Sequence, residues 1–204
     1  MVITKIEPSS GKKYKVYLND EFAFYLYKSE LKIFSLKEGQ ELDEKIYKKI
    51  TEEILTKRAK RRALYLLEKR DLTEYELQKK LEADKYKEDV IKEAVAYVKG
   101  FCYINDEAYA KRYVEYKGRT KSRRQIEAEL YKRGVDREII EQVIGGKEGG
   151  ETEPIEKLIL KKCGDPSQMT EKEKQKIYQY LLRKGFTFED ISSSLHKVTT
   201  MHLT

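Results

Sequence analysis

Neither a membrane span nor a secretory signal is expected in this 204-residue sequence. It holds no run of about 18 apolar residues, and Met1 leads into a charged, strand-like segment rather than a basic stretch followed by an apolar one. A cytoplasmic protein is expected. Cysteine is scarce: Cys102 and Cys163 are too few and too far apart for a metal knuckle or a disulfide framework, so both are expected as free thiols, buried or half-buried. A glycine-rich phosphate loop, a nucleophile elbow and an HExxH pair are also absent. The two histidines, His196 and His202, stand in or beside a C-terminal stretch without periodicity and are not expected to hold metal. Acidic pairs such as Glu88-Asp89 and Asp106-Glu107 fall where first helical turns begin, which capping and helix-dipole roles explain. With no catalytic residue, metal or cofactor in view, the chain reads as a non-enzyme.

What is present is polar and periodic. Hydrophobic and charged residues each make up 39%, against about 45–50% and about 25% in ordinary globular domains, which suits a thin helical body better than one compact globule. Disorder is disfavoured by the regular Leu and Ile spacing and by 22 aromatics, 16 of them Tyr. One pattern occurs three times, as Leu77, Leu81 and Tyr86, then Ile126, Leu130 and Val135, then Ile177, Leu181 and Phe186. Each set has two apolar residues four apart on one helix face, followed by a third five residues later, beyond the expected helix end. A recurrence near every fifty residues predicts tandem helical modules. Thr73 with Glu76, Ser122 with Gln125 and Thr170 with Glu173 each match the capping box. The last sits three residues early relative to Ile177, which predicts one extra helical turn.

The opening alternates as β-structure, with Val2, Thr4 and Ile6, then Tyr14, Val16 and Leu18, then Phe22, Phe24 and Leu26 as same-face sets. Ser9-Ser10-Gly11 and Asn19-Asp20 are its turns. Three short strands need a helix over one face. The segment 29–34 can supply it, or the one behind Asp43 with Ile46, Ile50 and Ile54 on one stripe. The expected organisation is an N-terminal β-meander plus helix over 1–56 and three-helix repeats over 57–104, 105–145 and 152–198. A glycine-rich linker over 146–151 and a frayed tail over 199–204, its aperiodic stretch already beginning at Lys197, complete it. Tyr97, Tyr109, Tyr113 and Tyr116 fall on helical stripes and read as packing residues, base stacking being the other reading.

Charge is concentrated. Residues 57–70 carry +6 and residues 111–133 another +6, while the whole chain is only +7, so the remainder carries −5. Such a one-sided field attracts a polyanion or an acidic protein groove. The candidate contact residues are Arg58, Arg61, Arg62 and Lys69 on the first repeat's opening helix, where Arg58, Arg61 and Lys69 with Tyr65 between them read as a cationic ridge. On the second repeat they are Arg119, Lys121, Arg123 and Arg124, where a helix N-terminus also favours an anion. Phosphate oxygens and protein carboxylates would both satisfy them, and a merely solvated surface is the competing explanation.

These residues resemble the bacterial RecX regulatory family. The likeness rests on Arg61-Arg62-Ala63-Leu64-Tyr65-Leu66-Leu67 followed by Thr73-Glu74-Tyr75-Glu76-Leu77 and Leu81, and on Tyr103-Ile104-Asn105-Asp106-Glu107-Ala108-Tyr109-Ala110 leading to Tyr113-Val114. It continues in Ser122-Arg123-Arg124-Gln125-Ile126 with Glu129-Leu130 and Lys132-Arg133-Gly134-Val135, and in Tyr180-Leu181-Leu182-Arg183-Lys184-Gly185-Phe186, covering roughly residues 58–196. It implies a mainly α fold of three tandem three-helix repeats in an elongated, curved body. It further implies a protein that lodges in the groove of the RecA recombinase filament on DNA and restrains it; a monomer is the default expectation, with its basic face meeting single- or double-stranded DNA. A stand-alone helical DNA-binding protein is the alternative.

Overall fold

The computed structural model describes residues 1–145, 150–163 and 166–201. They fall in two compact units, Met1–Ile104 and Asn105–Thr204. In the first, strands β1 (Ile3–Pro8), β2 (Lys13–Leu18) and β3 (Glu21–Tyr27) form an antiparallel meander in chain order. Asn19 and Asp20 both take positive φ, as a two-residue hairpin turn of this hand requires. The simple alternation fails at two bulges, since one inserted residue flips every following side chain to the other face. The first, between Ile3 and Lys5, puts Ile3 in the core instead of Val2 or Thr4. The second, opposite Val16 and Tyr17, brings Ala23 and Phe24 inward and sends Phe22 to an aromatic group with Tyr17 and Tyr25, centroids 6.1 and 5.0 Å away.

Both segments expected to cover the sheet are helical, as α1 (Lys28–Ile33) and α2 (Glu44–Lys49). The Asp43 carboxylate caps α2 by accepting the Lys45 N–H at 2.8 Å. From Ile50 the chain continues through π-helical turns to Thr56 and runs directly into α3 (Lys57–Lys69), followed by α4 (Glu74–Ala83) and α5 (Glu88–Gly100). One core joins the sheet to the first repeat: Val16, Phe24 and Leu26 belong to the same buried cluster as Ala59, Ala63, Val90, Ala94 and Val98. Burial against these helices stabilises a three-stranded sheet that alone would be marginal.

The second unit holds α6 (Asp106–Lys117), α7 (Arg123–Lys132), α8 (Arg137–Gly145), α9 (Thr152–Cys163), α10 (Glu171–Arg183) and α11 (Phe188–Met201). It has two cores. Ala110, Val114, Ile126, Leu130, Val135 and Ile140 form one, and Ile155, Ile159, Ile177, Leu181, Phe186, Ile191 and Val198 the other. Val198 corrects the expected fraying: burying it against the third repeat carries α11 through residues 197–201. The extra turn predicted for the third repeat is present, α10 having 13 residues where α4 and α7 have 10. Residues 146–149 of the expected glycine linker, residues 164–165, and His202 lie outside the described residues.

The spacing that marks the repeat is a helix stop. After α4, α7 and α10 the N–H of Tyr86, Val135 or Phe186 donates to the carbonyl of Leu81, Leu130 or Leu181, at 3.2, 3.1 and 3.3 Å. The residue before each, Lys85, Gly134 or Gly185, is left-handed with φ of 66, 77 and 84°. This is the Schellman arrangement, in which the residue after the left-handed one packs on the helix it has just left. The capping boxes of Thr73 and Thr170 are reciprocal. That of Ser122 is half made. Its hydroxyl accepts the Gln125 N–H at 3.2 Å and donates to the Lys184 carbonyl at 2.6 Å, while the buried Gln125 Oε1 has no hydrogen-bond partner among the described residues.

Three further expectations change. Tyr109 and Tyr113 stack at 6.0 Å against the second repeat's core, but Tyr97 and Tyr116 are exposed, because Ala94 and Val98 fill the inner face of α5 and Ala110 and Val114 that of α6. Cys102 is exposed at a left-handed turn, and Cys163 is half-buried with its Sγ–H directed to the Ile159 carbonyl.

Candidate functional site

The basic residues of α3 divide by what they touch. Arg58 turns back onto the sheet: its guanidinium donates to both Glu30 oxygens at 2.7 and 2.8 Å and to the Tyr25 carbonyl at 3.0 Å, and lies 4.9 Å from the Tyr27 ring centroid. Arg62 donates through Nε to Asp84 at 2.7 Å and lies 5.5 Å from the Tyr65 ring, which Lys69 also approaches at 5.3 Å. Arg61 and Lys69 are exposed. The expected ridge is thus interrupted, since Arg58 leaves the solvent face to hold α3 against α1 and β3.

The second cluster divides in the same way. Lys121 donates to Glu129 at 2.5 and 2.7 Å, and the Tyr113 hydroxyl donates to the same carboxylate at 2.5 Å. The Arg123 backbone N–H, at the α7 N-terminus expected to welcome an external anion, donates to the Glu151 carboxylate. Burial pushes that carboxyl above its usual range, and the Arg123 N–H offsets part of the rise. The chain therefore supplies its own anion there. Arg119 and Arg124 are exposed and, among the described residues, have no ion-pair partner. Arg124, Tyr131 and Arg137 border a groove of about 420 Å³ between α7 and α8.

Ser122 joins the second repeat to the third. Gly185 lies so close that a Cβ there would come within 3.0 Å of Ser122 Oγ and 3.3 Å of Arg124 Cβ, at a φ that already disfavours L side chains. Gly185→Ala is expected to cost about 2 kcal/mol, read as a lower melting temperature of the second unit. A variant as stable as the parent would show that this corner gives way freely.

Burial and then the bonded Glu129 carboxylate push the Tyr113 hydroxyl up to about 12, Arg133 working against them. Because the folded value exceeds the unfolded one, the hydroxyl's stabilising contribution is complete below pH ~10 and is lost as pH rises toward 12. An ultraviolet titration should show a tyrosine step near pH 12 that Tyr113→Phe removes; its persistence in that variant would assign it elsewhere.

Among the described residues no cluster of three or more His, Cys, Asp or Glu is placed to hold a metal ion, and no helix is long and apolar enough to cross a membrane. What the surface offers chemically is guanidinium and ammonium groups beside tyrosine rings, suited to carboxylates or phosphates. Sequence reasoning missed Lys13 and Lys85. They join Arg58, Arg61 and Arg62 around one groove of the first unit because β2 and the α4–α5 turn meet the start of α3 there. The cue available in the sequence was a lysine at the left-handed position that the other repeats give to glycine.

Residues 59–97 match the model of the RecX first three-helix domain, residues 105–144 that of the second and residues 151–195 that of the third. Regulatory protein RecX of Caldanaerobacter subterraneus subsp. tengcongensis is 37% identical over 200 residues, covering 96% of this chain and 99% of that one. The chain belongs to the RecX family. Its RecX relative in Clostridium tetani is 30% identical over 203 residues, covering 96% of this chain and 94% of that protein. Among solved structures, a crystal structure of regulatory protein RecX superposes with TM-score 0.61 at 28% identity, covering 95% of this chain and 98% of the other. RecX from Lactobacillus salivarius does so with TM-score 0.62 at 28% identity, over 71% of this chain and 96% of that one. The three RecX domains are the three helical modules read from the spacing of Leu77, Ile126 and Ile177. The stretches they match begin at residue 59, so the sheet precedes them.

Proposed function

We propose that this RecX-family chain is a cytoplasmic, non-enzymatic modulator of the RecA recombinase. It binds the groove of the RecA filament on DNA and restrains filament growth, ATP hydrolysis, strand exchange and repressor co-cleavage. The observation that carries this reading is the match to all three RecX domains in order along one chain. The charge distribution supports it: two clusters of +6 on an otherwise acidic chain suit a partner made of phosphates and protein carboxylates. Bridging several protomers would turn modest contacts into useful affinity.

Within the proposal the eight candidate residues take different parts. Arg61, Lys69, Arg119 and Arg124 are exposed and meet the partner directly. Arg58, Arg62 and Lys121 are anchored by Glu30, Asp84 and Glu129 and shape the surface, and Arg123 stands beside the Glu151 contact. The test is RecA ATPase on single-stranded DNA, titrated with this protein far below the RecA concentration and, separately, at amounts that coat the DNA. Inhibition at the low amounts, weakened by Arg119→Glu with Arg124→Glu, is the expected result. Inhibition confined to coating amounts would favour the stand-alone DNA-binding reading instead.

A further inference from the structure

Segments from several parts of the chain converge beside the N-terminal sheet. The β1–β2 turn brings Ser9 and Ser10, the start of β2 brings Lys13, the end of β3 brings Tyr25 and Tyr27, and the α4–α5 turn brings Lys85 and Tyr86, all facing Arg58, Arg61 and Arg62 of α3. They line an open groove of about 590 Å³, within the size range of small-molecule pockets and enough for a nucleotide unit. Five cationic side chains meet a single lining carboxylate, Asp84, which Arg62 already engages; Glu30 neutralises Arg58 from behind. Lys13, Arg61 and Lys85 have no ion-pair partner among the described residues. Their positions are prepared before any ligand arrives. Lys13 pairs with Tyr27 across β2 and β3 and holds its ammonium 6.0 Å from the Tyr25 ring. Arg58 and Arg62 are pinned by carboxylates at 2.7 Å.

Lys85 supplies an independent observation. It occupies the left-handed stop of α4 at φ 66°, where the second and third repeats have Gly134 and Gly185. A non-glycine residue there costs backbone energy, and residues held in such conformations cluster at functional sites. Here that side chain is a cation lining the groove.

The geometry points to a binding site for single-stranded DNA in this groove. Lys13, Arg61 and Lys85 take backbone phosphates, and the Tyr25 and Tyr27 rings give sequence-tolerant contacts to bases. Tyrosine faces between cations fit a strand of alternating phosphates and bases better than they fit an acidic peptide, which offers charge without ring faces. The inference rests on the DNA contact of the proposed function and adds its site, giving the sheet a part that the three RecX domains do not supply.

The test is fluorescence anisotropy of a labelled oligothymidylate with the full chain, without RecA, across a salt series. Lys13→Glu with Arg61→Glu is expected to weaken binding at least tenfold and to flatten the salt dependence by about 0.7 for each phosphate no longer neutralised. Lys172→Glu with Lys176→Glu on α10, matched in charge change, should stay within about twofold. Lys85→Gly should melt higher than the parent yet bind the oligonucleotide several-fold more weakly, a pairing that a purely structural lysine would not give. A groove variant no worse than its charge-matched control, a Lys85→Gly that binds as the parent does, or polyglutamate displacing the oligonucleotide at equal charge concentration would each overturn the assignment. RecA ATPase separates this site from the proposed function. If the parent fails to restrain RecA while the groove variant still loses the oligonucleotide, the groove stands and the modulator reading falls.

Discussion

Leu181→Ala should unfold the third repeat while the first unit remains folded. Leu181 is fully buried in a core of seven residues, and its carbonyl also accepts the Phe186 N–H that closes α10. Truncating a leucine at such a site removes its transfer energy and leaves a cavity, together about 3–5 kcal/mol. That is comparable to the whole stability of a small module, for which about 5–15 kcal/mol is typical of an entire domain. The first unit's core is a separate cluster, from Ile3 to Ile104. Hydrogen exchange followed by fragment should therefore show residues 152–201 losing protection while Met1–Ile104 keeps it. Equal loss along the chain would mean that the cores fold as one cooperative body and that the modular description is wrong.

Arg58→Met is the second large expected effect. The Glu30 carboxylate would lose its bidentate partner while remaining 15% exposed and bonded at 2.7 Å to the Tyr27 N–H, and the Tyr25 carbonyl would lose its donor. Breaking a fully buried pair from one side costs about 3–5 kcal/mol, chiefly through the charge left behind. Side chains 21% and 15% exposed recover part of that from water, so about 2–3 kcal/mol is expected here. For a unit of this size the corresponding fall in melting temperature is roughly 10–15 °C. Adding Glu30→Gln should return much of the loss, because no unpaired charge then remains. A single variant within a few tenths of a kcal/mol of the parent, or a double variant no better than the single, would show that the pair is ornamental. The prediction bears on function as well, since Arg58 is rigid groove wall only while Glu30 holds it.

Both expectations depend on features of unequal legibility. The three repeats could be read in advance because their signals are local: Leu81 and Tyr86 are five residues apart, Thr73 and Glu76 three, and a Schellman stop or a capping box is built from neighbours. The strands were legible as strands, but the inward face was not. The bulges at Ile3–Lys5 and Val16–Tyr17 arise from pairing between strands, which no single strand's alternation encodes. The candidate site was legible as charge and illegible as geometry. Arg58 and Arg61 look alike in a sequence, yet one is bonded to Glu30, 28 residues earlier, and the other is exposed. Lys13 drew no attention because its neighbours in the groove lie on β3, α3 and the α4–α5 turn.

By itself, then, the sequence determined the periodic part of this RecX-family protein: three helical repeats, their caps and stops, a three-stranded meander ahead of them, and two basic clusters on an otherwise acidic chain. Helix periodicity, capping and turn chemistry act over three to five residues, so composition and spacing suffice for them. Tertiary structure decided which cations are spent inside the fold and which stay exposed, why the sheet shares its core with the first repeat, and that Glu151 rather than an external anion caps α7. Those outcomes turn on burial and on pairing across tens of residues, where the cost of an unpartnered charge depends on surroundings that only the folded chain creates.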